Sequence, residues 1–129
     1  MPTTMHIDGF GPLPVTTPPT TAELGQVIRE AAASSTALYP VGGGTKQTLG
    51  VAPTRPGQAV STLGLARIID FPARDMTVTV EAGITIRALR DTLAAEKLRL
   101  PIDVANADRA TLGGIIAAGM GSFSMALVA

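Results

Sequence analysis

Tyr39-Pro40-Val41-Gly42-Gly43-Gly44-Thr45 is the stretch that decides how this chain is read. The apolar run Ala37, Leu38, Tyr39 and Val41 predicts a strand, and three consecutive glycines followed by a hydroxyl residue stop it. Glycine loses more backbone freedom on folding than any other residue, so three in a row need a physical reason. One reason is a turn that requires positive φ. Another is the close approach of a ligand or of a second stretch of backbone. Successive exposed N–H groups in such a turn make a concavity that holds anions such as phosphate or pyrophosphate.

A second apolar and glycine-rich segment follows at Ala110-Thr111-Leu112-Gly113-Gly114-Ile115-Ile116-Ala117-Ala118-Gly119. Together the two segments point to a nucleotide cofactor. The first is not a Walker A loop, because Thr45 separates Gly44 from Lys46. Nor is it a G-x-G-x-x-G fingerprint, since Gln47 stands at the last glycine position. Residue types alone leave a plain turn and a phosphate cradle equally open. Residues 110–129 carry no charge and are long enough to cross a bilayer as a helix. Thr111, four glycines, two serines and the lack of a basic cluster at either end argue against that. The competing reading is a buried helix start whose Gly113-Gly114 amides face a ligand, with Thr111 donating a hydroxyl hydrogen bond.

At 129 residues the chain is one domain, large enough for a core and short for a whole enzyme. Hydrophobic residues make up 46% and charged residues 16%, which predicts a folded, soluble chain. Ten basic residues balance ten acidic ones, so no electrostatic footprint for nucleic acid or an anionic membrane exists. Three Phe and one Tyr are too few for base-stacking platforms, and the core falls to Ala, Val, Ile and Leu. The absence of cysteine excludes disulfides, thiolate metal sites and a cysteine nucleophile. No basic and apolar leader of the secretory type opens the sequence, and the expected location is the cytoplasm.

Residues 1–19, rich in Pro and Thr, read as an extended leader with little structure of its own, and residues 20–129 as the folded domain. Thr20 and Glu23 fit a capping box, and Leu24, Val27, Ile28 and Ala31 form one apolar helix face ending near Ser34. Lys46 to Gly57 is a loop, while Ala59–Thr62 and Ala66–Phe71 are short strands. Met76, Val78, Val80 and Ala82 alternate with polar residues, predicting a half-buried strand. Thr85 caps a second helix with the face Ile86, Leu89 and Leu93, and a short strand at Leu98–Leu100 ends at Pro101. The pattern is α+β, with no internal repeat.

Few side chains outside the glycine segments carry chemistry. His6 reads as a solvated tail residue. Asp70, Arg74 and Asp75 read as a turn with a surface ion pair. Asp103 either meets a ligand hydroxyl or caps a turn. No acid–base pair is apparent, and no catalytic residue is named.

Four motifs occur in order: Val41-Gly42-Gly43-Gly44-Thr45, Thr77-Val78-Thr79-Val80-Glu81-Ala82-Gly83-Ile84-Thr85, Leu100-Pro101-Ile102-Asp103 and Ala110-Thr111-Leu112-Gly113-Gly114. Over residues 20–122 the chain resembles the N-terminal part of FAD-linked oxidase domains of the vanillyl-alcohol oxidase or PCMH type. It is most similar to glycolate oxidase E subunits and D-lactate dehydrogenase relatives. The resemblance implies the first α+β subdomain of an FAD-binding domain, with a mixed sheet and two to three helices. It places Val41, Gly42, Gly43, Gly44 and Thr45 on the pyrophosphate loop. Asp103, Ala110, Thr111, Gly113 and Gly114 fall near the pyrophosphate and flavin. Members that tether FAD through the first loop use a histidine there. None stands there in this sequence, which implies non-covalent FAD. Relatives continue past Ala117-Ala118-Gly119 with a basic stretch, a Tyr-Gly and a second cofactor subdomain. Here Gly121-Ser122-Phe123-Ser124 follows, and the expectation is a truncated product or one piece of a split enzyme. The expected function is the cofactor half of an oxidoreductase acting on a 2-hydroxy acid such as glycolate or lactate. The alternatives are a binding module completed by another subunit of an oxidase complex, and a small protein anchored by its C-terminal segment.

Overall fold

The computed structural model describes residues 3–119 and the backbone of Ser122–Phe123. Its largest sheet holds four strands in the order β1-β2-β4-β3: β1 (Thr4–Ile7), β2 (Phe10–Thr16), β3 (Ala37–Val41) and β4 (Gly57–Ser61). β1 and β2 are antiparallel, and β4 runs parallel to both β2 and β3. With neighbours on either side, β4 buries Ala59, Val60 and Ser61. The segment expected as an unstructured leader therefore supplies two strands. Asp8 and Gly9, at φ 49° and 78°, make the tight turn of a hairpin. Leu13 is 3% exposed and anchors β2 in the core. Pro12 and Pro14 lack the N–H of a ladder donor, which hides this strand from a reading by composition.

Helix α1 (Thr21–Ala33) starts as its sequence predicts, with the Glu23 N–H donating to Thr20 Oγ1 at 3.2 Å. It ends with Ser35 at φ 54° and with N–H bonds from Thr36 to Ala31 O and from Ser35 to Ala32 O. Its apolar face is only partly covered: Ala31 is buried, whereas Ile28 is 49% exposed.

The second half of the chain packs around α2 (Ile86–Ala95), capped by Thr85. Ile84, Leu89 and Leu93 form one core cluster, Ile86, Ala110 and Ile115 a second, and Leu100 and Leu112 touch both. Leu98–Leu100, expected as a strand, is not one. Lys97 sits at φ 58° and the Leu98 N–H donates to Leu93 O at 3.0 Å, so Leu98 belongs to the C-terminal cap of α2 and packs on its core. The alternating stretch from Met76 to Ala82 pairs over two residues only. β6 (Thr79–Val80) lies antiparallel to β5 (Ile68–Asp70), because Met76, at φ 52° and 77% exposed, turns the chain before the strand begins. The remaining elements are β7 (Ile102–Asp103), antiparallel to β8 (Ser122–Phe123), and α3 (Leu112–Ala117). Among the described residues, a mixed sheet and three α-helices agree with the α+β expectation. No described helix is long and apolar enough to cross a membrane, and residues 120–121 and 124–129 of the stretch read as a candidate span lie outside the described residues.

The ion pair expected among Asp70, Arg74 and Asp75 is absent among the described residues. Arg67 and Glu81 make one instead, at 2.7 Å, with the Glu81 side chain 7% exposed. Glu81 accepts from the Arg67 guanidinium and from the Arg67 N–H. These hydrogen bonds hold its carboxyl below the usual carboxylate range, against a smaller opposing effect of burial. A carboxyl with a lowered folded-state pKa stabilises the fold at any pH above its unfolded value, about 4.3, and loses that contribution as the pH falls through the folded one. In urea unfolding, Glu81→Gln lowers the midpoint at neutral pH, and the gap to the wild type closes as the pH drops below the unfolded-state value.

Candidate functional site

The glycine turn and the start of α3 meet face to face. A Cβ on Gly42 would lie 2.3 Å from Thr111 Oγ1, and one on Gly43 would lie 1.6 Å from the Arg109 carbonyl oxygen. Gly44 sits at φ 68°. Gly42 thus admits the Thr111 side chain, Gly43 admits a second stretch of backbone, and Gly44 supplies a left-handed turn. The opposite wall is fixed by main-chain bonds from Ile86 N–H to Ala110 O, Leu112 N–H to Ile84 O and Gly113 N–H to Ala82 O, at 2.8–2.9 Å.

Between these walls lies an open cavity of about 590 Å³, within the roughly 300–1,000 Å³ of ordinary ligand pockets. Val41, Gly42, Gly43, Gly44, Thr45, Asp103, Ala110, Thr111 and Gly114 all line it. Gly113 does not. A Cβ there would meet Ala82 Cβ at 2.8 Å, and its N–H is bonded to Ala82, so this glycine serves helix packing. The Gly114 N–H is also taken, by Thr111 Oγ1 at 3.1 Å. The expected pair of ligand-facing amides at α3 is therefore not available. Thr111, 1% exposed, caps α3 by accepting this bond, which leaves its O–H as the hydroxyl's donor.

The first loop behaves differently. Among the described residues, the N–H groups of Gly43, Gly44, Thr45, Lys46 and Gln47 have no hydrogen-bond partner, and all five residues line the cavity. A consecutive run of unpartnered amides is the donor set of an anion site. Lys46 is exposed and makes no ion pair among the described residues. The Tyr39 hydroxyl donates to the Arg55 carbonyl at 2.7 Å and ties down the loop that follows. Asp103 is the acidic residue of the lining; its side chain is 92% exposed and 3.8 Å from Arg90. Val104, Ile115, Ala117 and Ala118 add an apolar wall.

Sequence reasoning does not reach Ile7, Tyr39, Lys46, Gln47 or Val104 as lining residues. Lys46 and Gln47 had a signal, since they continue the glycine turn. Ile7 had none, because it lies on β1, remote in sequence from the glycine turn and at the opposite edge of the sheet from β3. His6, beside it, is exposed on β1. No described cluster of His, Asp or Glu could hold a metal ion.

A family model for the FAD binding domain matches residues 12–127. This chain belongs to the FAD-binding domain family. The PCMH-type resemblance carried by the four motifs is thereby shown, and FAD is the cofactor of the domain. The chain is 32% identical over 110 residues to a D-2-hydroxyglutarate dehydrogenase of Xanthomonas citri pv. viticola, covering 85% of this chain and 23% of that relative. Two crystal forms of alkyldihydroxyacetonephosphate synthase share the fold, with TM-scores of 0.70 and 0.71 at 21% and 22% identity. Each covers 80% of this chain, which spans 21% and 20% of the two structures. The residues present fit FAD on their own chemistry: open amides suit a diphosphate, and small apolar walls suit a flat ring system.

In this FAD-binding domain Gly43→Ala lowers stability by about 3 kcal/mol, the upper end for an overpacked site, since backbone has to move to admit the methyl. Gly44→Ala costs about 1–2 kcal/mol, that of a left-handed alanine. Urea unfolding of the two variants checks this order.

Proposed function

We propose that the chain is the FAD-binding portion of a flavin-dependent oxidoreductase acting on a 2-hydroxy acid, with FAD held non-covalently. The observation that carries the cofactor part is the run of unpartnered N–H groups from Gly43 to Gln47 on the cavity wall. These amides donate to diphosphate oxygens, and the Lys46 ammonium adds a positive charge beside them. Val104, Ile115, Ala117 and Ala118 exclude water from the ring system. Asp103, on the rim, accepts from a ligand hydroxyl. The chemistry supplied with FAD in place is two-electron oxidation of a substrate C–H bond. The 2-hydroxy acid class is supported by the D-2-hydroxyglutarate dehydrogenase relative, and glycolate and lactate are the first substrates to test. Non-covalent binding is supported by the absence of histidine from Val41–Gln47.

The rim favours a second reading, a module completed by another subunit. Leu49 and Val51 line the cavity yet are 53% and 94% exposed, and further polypeptide would cover them. Calorimetric titration with FAD tests both. The expected result is saturable but weak binding by this chain, with all flavin released on acid denaturation. No binding at any reachable FAD concentration overturns the FAD reading, and stoichiometric flavin retained through gel filtration overturns the need for a partner.

A further inference from the structure

Arg109 lies just outside the cavity lining but is bonded to its wall. Its Nη2 donates to the Gly43 carbonyl oxygen at 3.1 Å, joining residues 66 apart in sequence. The arginine is itself held in a tight turn, its N–H donating to Asn106 O at 2.9 Å with Asn106 at φ 57°. It is exposed and makes no ion pair among the described residues, so the Gly43 carbonyl is the protein group its guanidinium holds.

That carbonyl belongs to one of the two Gly–Gly peptides of the turn, where no side chain opposes rotation of the peptide plane. Residues on both sides are glycine, and Gly44 sits at φ 68°. In a trans peptide the C=O and N–H point in opposite directions. Fixing the Gly43 oxygen towards Arg109 therefore aims the Gly44 N–H the other way. A flipped peptide would present a carbonyl oxygen to the cavity in place of a donor, and a carbonyl oxygen repels a diphosphate.

We infer that Arg109 is a positioning residue for the FAD diphosphate, acting through the Gly43 carbonyl to keep the Gly44 N–H turned into the cavity. This rests on the FAD reading above. The role is separate from that of the glycine loop, because the residue sits on the opposite loop and works by holding one peptide plane.

NMR titration of the ¹⁵N-labelled chain with FAD, at low and at high salt, tests the inference on the wild type, Arg109→Ala and Arg109→Lys. Melting curves show which variants are folded. Arg109→Ala is expected to weaken FAD binding about tenfold, the scale of one hydrogen bond to a charged group. The factor is the same at both salt concentrations, and the Gly44 amide signal is displaced before any FAD is added. Arg109→Lys, which keeps a donor near Gly43, recovers most of the affinity. Wild-type affinity in Arg109→Ala overturns the inference and leaves the FAD reading standing. A loss that vanishes at high salt overturns it too, since it would mark a direct charge contact with the cofactor. A wild type that takes up no FAD overturns the FAD reading, and the inference with it.

Discussion

Nothing larger than hydrogen fits where Gly43 meets the Arg109 carbonyl and Gly42 meets the Thr111 side chain, and the two segments lie directly against each other there. This contact joins the two halves of the fold. On one side are β3 and the four-stranded sheet; on the other are α2, α3 and their shared core. Thr111 is central to it. Its side chain packs against Gly42, its hydroxyl caps α3, and its backbone bridges to Thr85 at the start of α2. A side chain at 42 would displace the cap, and one at 43 would displace the backbone that carries it.

Hydrogen-bond accounting separates the roles of two glycine-rich segments that look alike in sequence. Buried or inward-facing amides need partners. At Gly113 and Gly114 the partners come from within the protein, Ala82 O and Thr111 Oγ1, so that segment is packing. From Gly43 to Gln47 the protein supplies no acceptor among the described residues, so these amides are open to water or a ligand. The unpartnered amides of the cavity wall therefore belong to one loop, while the amides of the other are spent within the protein.

Local rules were legible wherever a single segment contains both partners. Thr20 with Glu23, Thr85 with Ala88, and the buried face Ile86, Leu89 and Leu93 all follow from helix periodicity and capping. Nine of the ten candidate site residues line one cavity. The failures share a cause. Leu98 to Leu100 and Met76 to Ala82 look like strands, but single left-handed residues, Lys97 and Met76, redirect the chain beside them. Asp8-Gly9 is a hairpin signal that the neighbouring prolines obscured.

By itself the sequence determined the α+β class, the capped starts of α1 and α2 and the family, because each depends on residues close together in the chain. The tertiary structure alone decided that Gly113 packs on Ala82, that β1 and its Ile7 reach the cavity, and that Arg109 grips Gly43. Those facts depend on which strands pair and which backbones touch, and the free energy of such long-range contacts resides in no single segment.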